Sequence, residues 1–132
     1  MQPALNCLIP RPAEVTLAEG EFLFTRPVKV SAKLPAIQER LKFFGAKLAD
    51  DAKCAITVAK DKSLPAEGFA ITVTPNTIRL TADDAQGEFY AQGALEQLLW
   101  IAFAEGADVA KMQCGVVRDY PRYPMRGLML VL

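Results

Sequence analysis

The hydrophobic and polar positions of the chain predict two helices set among short strands. The first helix is expected to open at Pro35, where the missing N–H costs nothing, and to end near Ala49. Its apolar residues recur at the spacing of a single helical stripe: Ile37, Leu41, Phe44 and Leu48. The polar residues between them predict an opposite face that lies in solvent.

A second, stronger helix is predicted between Asp83-Asp84 and Gly106. Either aspartate can cap its N-terminus, and glycine is a common residue at a helix end. Its small and apolar residues form a stripe that could lie close to a sheet: Ala91, Ala94, Leu95, Leu98, Leu99 and Ala102.

The remaining apolar segments have β-strand character. A hairpin is the clearest of them, because residues 69–74 and 77–81 both alternate on either side of Pro75-Asn76. Glu19-Gly20-Glu21 is interpreted as a turn, and Pro27 as a break between two short strands. Other strands are expected at residues 22–24, 28–30, 54–59 and 112–117. The order β–α–β–β–β–α–β predicts an α+β fold, a mixed or antiparallel sheet with two helices packed on one face.

The last residues have a different pattern. A turn-rich segment from Asp119 to Pro124 leads to Arg126 and then to the apolar run Leu128–Leu132. A lone apolar strand needs sheet neighbours to satisfy its backbone, so this run is expected to begin a second domain.

The composition narrows the class of protein. The 132 residues are 52% hydrophobic and 23% charged, as in a globular domain, and the 15 basic and 15 acidic residues cancel. Zero net charge argues against a nucleic-acid partner, and the lack of a long apolar run argues against a membrane span. We therefore expect neither partner.

Candidate chemistry is sparse. The sequence contains no histidine, which excludes Ser-His and Cys-His nucleophiles and histidine zinc sites within these residues. The three cysteines, Cys7, Cys54 and Cys114, are far apart and are interpreted as small buried hydrophobes. No metal site, no cofactor and no catalytic residue is predicted.

Two carboxylate pairs and one arginine were weighed as sites. Asp50-Asp51 and Asp83-Asp84 are interpreted as turn and cap residues, because neighbours in a loop usually diverge. Arg126 has two interpretations of equal weight: a guanidinium reaching solvent at the end of a strand, or a fork-shaped donor for vicinal hydroxyls of a sugar. For the aromatic residues of the helical segments core packing is the default, although Tyr90 and Trp100 could reach water or a partner domain: Phe43, Phe44, Phe89, Tyr90, Trp100 and Phe103.

Three blocks, in their order and spacing, resemble the N-terminal part of family 20 glycoside hydrolases, the β-N-acetylhexosaminidases. They are Leu8-Ile-Pro-Arg-Pro-Ala-Glu-Val15 through Phe22; residues 67–73 and 78–80 with Gly87-Glu-Phe-Tyr-Ala-Gln-Gly-Ala-Leu-Glu-Gln-Leu-Leu99; and Arg118-Asp-Tyr-Pro-Arg-Tyr-Pro-Met-Arg-Gly-Leu-Met-Leu130. Together they cover nearly the whole chain.

The resemblance implies a division of the chain. Residues 1–118 would be the non-catalytic N-terminal α/β domain, and residues 119–132 the linker and first strand of a truncated (β/α)8 barrel. The Asp-Glu pair of the family would lie beyond this chain, so the fragment alone is expected to be inactive. Arg126 matches the arginine with which the family holds the terminal N-acetylhexosamine of a glycan. The partners implied are that sugar and the missing barrel domain, in a periplasmic or secreted parent enzyme.

The alternative from the residues is a stand-alone carbohydrate-binding or protein-interaction module. Tyr120 and Tyr123 would be the candidate aromatic platform for a glycan.

Overall fold

A computed structural model describes residues 12–120 of the chain. Two helices and six strands lie in this range. In chain order they are β1 (Glu14–Leu23), β2 (Val28–Val30), α1 (Pro35–Phe44), β3 (Cys54–Lys60), β4 (Phe69–Val73), β5 (Thr77–Ala82), α2 (Ala85–Ala102) and β6 (Lys111–Asp119).

The strands form one mixed sheet in the order β1-β6-β4-β5-β3-β2. β3 is parallel to β2 and to β5, while β4 is antiparallel to β5 and to β6. β5 and β6 therefore run in the same direction, and β1 closes one edge antiparallel to β6. The predicted α+β class with a mixed sheet and two helices is confirmed.

Each helix is a crossover between parallel strands. α1 joins β2 to its neighbour β3, and α2 joins β5 to β6 across β4. Both crossovers move in the same direction along the sheet, and such connections are right-handed in nearly all proteins. The two helices must therefore lie on the same face, as predicted.

A single hydrophobic core lies between the helices and the sheet. Ile37 and Leu41 of α1 and Leu95 and Leu98 of α2 are fully buried in it. The sheet contributes alternate residues of β3, β4 and β5, as a one-sided core requires, together with three residues of β6: Cys54 and Ile56, Phe69, Ile71 and Val73, Ile78 and Leu80, and Met112, Cys114 and Val117.

The predicted end of the first helix is wrong. α1 ends at Phe44, because Gly45 adopts the left-handed conformation (φ 91°) and its N–H donates to the Lys42 carbonyl at 3.1 Å. Leu48 leaves the helix and instead forms an isolated bridge with Val28 at the outer edge of β2. Leu48 continued the apolar stripe by spacing alone.

The N-terminal strands also differ from the prediction. β1 continues through the expected turn at Glu19-Gly20-Glu21, with a shift in its pairing to β6 between Leu17 and Glu21. Gly20 (φ 98°) supplies the backbone conformation of this bulge. Two strands precede α1, in agreement with the break expected at Pro27, although the predicted order counted them as one.

The C-terminal ends of α2 and β6 also differ from the prediction. α2 ends at Ala102, before Gly106, and β6 extends to Asp119, a residue that the division of the chain assigned to the linker. The barrel stub lies outside the described residues, and the division at residue 118 stays a prediction. Within residues 12–120, neither helix is long and apolar enough to cross a membrane.

Candidate functional site

The one predicted ligand-binding residue, Arg126, lies outside the described residues, as does Tyr123. Tyr120 is the last described residue and is half-buried at the end of β6. The structure thus brings neither Arg126 nor the tyrosine pair into a described site. The described residues show where β6 ends and which surfaces surround that end.

Asp119 anchors the end of β6. Only 8% of this residue is exposed, it pairs with Phe69 of β4, and its Oδ1 accepts a hydrogen bond from Ala13 N–H at 3.1 Å. The two ends of the described chain are therefore held together.

The N-terminus of α2 lies close to this point, and Asp84 fixes it. The Asp84 carboxylate accepts from Gly87 N–H at 2.7 Å and from Glu67 N–H at 2.9 Å. The hydrogen bond from Glu67 N–H is the larger cause, and with the bond from Gly87 N–H it holds the pKa of Asp84 below its usual value of 3.8. The cap role predicted for the Asp83-Asp84 pair is confirmed for Asp84, and Asp50-Asp51 lies in an exposed turn, as predicted.

Gly68 connects α2 to the end of β6. A Cβ at Gly87 would overlap the Gly68 carbonyl oxygen, and a Cβ at Gly68 would lie 3.2 Å from the Asp119 carbonyl oxygen. The helix start, the 67–68 segment and the strand end are thus in close backbone contact. The end of β6 therefore lies beside the N-terminal end of α2.

An aromatic cluster joins α1 to α2. The Phe44 ring stacks on Phe103 at 4.9 Å and meets the edge of Trp100 at 4.8 Å between centroids. Phe43 extends the cluster, 6.1 Å from Trp100. Arg40 lies over it, with its Cζ 5.7 Å from the Phe43 centroid and 5.5 Å from Trp100.

The expectation of core packing is wrong for three of the six aromatic residues of the helical segments. Phe43 is 69% exposed, Phe89 68% and Trp100 52%, whereas Phe103 is buried as predicted. For Trp100 the alternative that it reaches water is confirmed. Arg40 was not singled out by sequence reasoning, although a helical residue three positions before Phe43 is placed to contact it.

The face of the sheet opposite the helices differs from the helical layer in its side chains. Its strands present threonine, alanine and arginine, among them Thr57, Thr72, Arg79 and Arg118. No large hydrophobic side chain of β3, β4 or β5 is exposed there. The exposed aromatic residues Phe43, Phe89 and Trp100 belong to the helices, whereas the sheet exposes Leu17 and Leu23 on its edge strand β1.

A shallow cavity of about 230 Å³ lies beside the edge strand β2. Two lysines and one carboxylate are among its lining residues: Val28, Lys29, Val30, Gln38, Lys42, Leu48, Ala49 and Asp50. Hydrolysis of a glycosidic bond by two carboxylates needs one acidic residue on either side of the bond. Asp50 is the one acidic residue in the lining of this cavity.

The described residues form neither a metal-binding cluster nor a reactive thiol site. Within residues 12–120 no three histidine, cysteine, aspartate or glutamate side chains are grouped to hold an ion. Cys54 and Cys114 are free and buried, as interpreted from the sequence, while Cys7 lies outside the described residues. Burial, with a contribution from Glu21, raises the pKa of the Cys114 thiol, so it stays protonated and a poor nucleophile.

Comparison with known proteins shows the family of the chain. Residues 6–120 match the family described as glycosyl hydrolase family 20, domain 2. A beta-hexosaminidase of Akkermansia muciniphila is 27% identical over 110 residues, which are 81% of this chain and 21% of that protein.

Solved structures agree in fold. A family 20 exo beta-N-acetylglucosaminidase from Vibrio harveyi, in complex with N-acetylglucosamine, superimposes with a TM-score of 0.66 at 19% identity, over 90% of this chain and 20% of that one. A family 20 beta-N-acetylhexosaminidase from Streptomyces coelicolor gives 0.63 at 20% identity, over 92% and 28%. The chain thus spans between 20% and 28% of the length of these proteins.

Proposed function

Since this chain belongs to the family of glycosyl hydrolase family 20, domain 2, we propose that it is the N-terminal accessory domain of a β-N-acetylhexosaminidase. The observation that carries the proposal is the family match over residues 6–120, which includes every helix and strand described. The parent enzyme would hydrolyse terminal N-acetylhexosamine residues of glycans in a periplasmic or secreted setting.

The proposed role of the domain is structural. The match covers 21% of the Akkermansia relative, so most of that protein lies outside the matched segment. The described residues offer an anchored strand end, a capped helix and an exposed aromatic cluster, but no pair of facing carboxylates. Catalysis in the parent is therefore assigned to the barrel, whose linker and first strand would follow β6.

Arg126 is proposed to contribute to substrate binding in that parent. Its guanidinium can donate two parallel hydrogen bonds to adjacent hydroxyls of the terminal sugar. One charge-assisted bond contributes about 1.5–3 kcal/mol, whereas loss of translational and rotational freedom costs roughly 4–15 kcal/mol. Arg126 by itself cannot hold the sugar, so recognition requires further residues of the barrel.

A comparison of chain lengths tests the proposal. The purified 132-residue chain is expected to release no aryl leaving group from an aryl N-acetyl-β-glucosaminide, and the full-length protein to release it with steady turnover. In the full-length protein, Arg126→Ala should raise KM or lower kcat/KM, with Arg118→Ala, exposed on the sheet, as the matched control. Turnover by the short chain that is lost in its own Arg126→Ala variant would overturn the accessory role.

A stand-alone glycan-binding module is not favoured by the family match. Calorimetric titration of the 132-residue chain with chitin oligomers separates the two roles, and no heat of binding is expected. Saturable heat would favour the binding module.

A further inference from the structure

We propose that the Glu67 carboxylate binds the guanidinium of Arg122 and so holds the segment after β6 against the turn at residues 65–68. The occupant is a named part of this chain, residues 121–124, which lies outside the described range. The inference goes beyond the proposed function and does not depend on it, because it concerns only how the domain holds the segment that follows its last strand.

Glu67 has a backbone conformation that disfavours its side chain. Its φ of 58° is the one positive value at a non-glycine residue between residues 12 and 120. The Gly68 N–H donates to the Pro65 carbonyl at 2.9 Å, which closes a four-residue turn with Glu67 at the third position. A positive φ at that position alone defines a type II turn, which favours glycine or asparagine there. Glutamate at position 67 therefore weakens the turn.

The described contacts of Glu67 do not require a carboxylate. The hydrogen bond from this residue to Asp84, at 2.9 Å, uses the backbone N–H, which glycine or asparagine would also supply. Among residues 12–120 the Glu67 carboxylate takes part in none of the ion pairs. Strain that is kept where the described structure gives the side chain no contact points to a role for that side chain.

The segment after β6 begins beside this turn. Phe69 pairs with Asp119 in the β4–β6 ladder, and a Cβ at Gly68 would lie 3.2 Å from the Asp119 carbonyl oxygen. In an antiparallel ladder each following pair lies one residue back on one strand and one residue forward on the other. Continuation of this register would bring residue 121 opposite residue 67.

Arg122 supplies the charge complementary to Glu67. Two residues of extended chain span about 7 Å, so Arg122 is within that distance of Tyr120, and its long side chain can turn back to the carboxylate. A guanidinium can bind a carboxylate through two parallel hydrogen bonds. Prolines at positions 121 and 124 restrict the backbone on either side. One contact in such a stiff segment would fix the direction in which the polypeptide leaves the sheet.

Arg11 is the competing arginine at this end of the domain. It lies two residues before Ala13, whose N–H donates to Asp119 at 3.1 Å. That contact is on the β1 side of β6, whereas Glu67 is on the β4 side, because β1 and β4 flank β6. The β1 side is farther from Glu67 by the width of a strand, roughly 4.8 Å. We therefore assign the contact to Arg122 and use Arg11 as the comparison.

Limited proteolysis of the 132-residue chain tests the pair directly. Trypsin cleaves the Arg122–Tyr123 bond only while the arginine side chain is free to enter the protease, so the rate follows the unpaired fraction. Glu67→Gln keeps the length of the side chain and removes its charge, and should speed this cleavage by about threefold or more. Cleavage of the Arg126–Gly127 bond in the same segment should be unchanged, which makes it the internal control.

A double-mutant cycle measures the coupling. Urea denaturation followed by circular dichroism compares Glu67→Gln, Arg122→Gln and the double variant. The unfolding equilibrium constants should show an interaction factor of about threefold, as expected for charged residues in contact. A second cycle, with Arg11→Gln in place of Arg122→Gln, should show none.

A glycine variant separates the turn from the ion pair. Glu67→Gly should relieve the backbone in every background, but in the native chain it also removes the partner of Arg122. It should therefore favour folding about threefold more strongly in the Arg122→Gln background than in the native chain. An equal effect in both backgrounds would contradict the pairing.

Equal cleavage of the Arg122–Tyr123 bond with and without Glu67→Gln would overturn the proposal. So would equal acceleration at both arginines of the segment, since the whole segment would then be loosened, and so would coupling of Glu67 to Arg11 instead of Arg122. None of these measurements involves glycoside hydrolysis. Failure of the proposed function, seen as an inactive full-length protein, would leave all of them unchanged.

Discussion

Gly87 is the residue at which α2 is least tolerant of a side chain. Its missing Cβ makes room for the carbonyl oxygen of Gly68, and both atoms belong to backbone that is held on each side. Neither group can rotate away as a flexible side chain can. The contact brings the first turn of α2 against the segment that precedes β4.

Gly87→Ala is expected to destabilise the domain by about 2 kcal/mol or more, because overpacking against backbone forces a shift of the helix. Gly93→Ala is the matched control in the same helix and is expected to stabilise it by about 0.5–1 kcal/mol. Urea denaturation followed by circular dichroism measures both. Equal effects of the two substitutions would contradict the packing described at Gly87.

Asp84 links stability to pH at the same helix end. Because its folded pKa is lowered from 3.8 by the hydrogen bonds from Glu67 and Gly87, its contribution is present above pH 3.8. It is lost as the pH falls from 3.8 through the lower folded value.

Asp84→Ala should therefore lower the urea midpoint at pH 7, and the difference from the unsubstituted chain should shrink as the pH falls below 3.8. Asp51→Ala, in an exposed turn, serves as the control for removal of a carboxylate. A midpoint difference for Asp84→Ala that is constant from pH 7 to below pH 3.8 would contradict this linkage.

At the scale of the elements, the end of α1 is set by one backbone conformation. Gly45 adopts a φ of 91°, and residues 47–49 then pair with Val28 instead of continuing the helix. Those pairings partly cover the outer edge of the sheet at β2, which is otherwise free to pair with another chain.

Gly45→Ala is expected to destabilise the domain by about 1 kcal/mol, because a Cβ is unfavourable in the left-handed region. Gly45→Asn should cost less, since asparagine tolerates that conformation. Thermal unfolding of the two variants gives the comparison. An alanine variant as stable as the asparagine variant would show that the helix end is held by the later pairings instead.

The same elements show what the sequence could predict. Both helices and the β4–β5 hairpin follow from apolar periodicity, which burial on one face imposes. The helix end at Phe44 did not, because Leu48 has the right spacing for the stripe and the conformation of Gly45 is invisible to a side-chain pattern. The bulge in β1 was missed for a related reason, since glycine within a strand marks a bulge as readily as a turn.

At the scale of the whole molecule, the strand order could not be predicted from the sequence pattern. The two crossovers place α1 and α2 on one face, but only coordinates show which strands become neighbours. The exposure of Phe43, Phe89 and Trp100 did have a local signal, because all three lie off the apolar stripes of their helices. The expectation of core packing did not use that spacing. Arg126 followed from resemblance alone and stays a prediction.

Because both helices share one core with the sheet, the 132-residue chain is expected to unfold in a single transition. Trp100 is the only tryptophan of the sequence and lies in the contact between α1 and α2. Its fluorescence and the far-ultraviolet circular dichroism should give coincident urea midpoints. An earlier fluorescence transition would mean that the helical layer opens before the sheet.

The hydrogen bond from Ala13 to Asp119 closes the domain into a nearly complete ring. A short polypeptide bridge across that gap, combined with new termini between the exposed residues Lys62 and Ser63, would yield a circular permutant with the same sheet. The domain also returns the backbone to its entry point, so it can be excised from or grafted into a host protein without separating the segments that flank it.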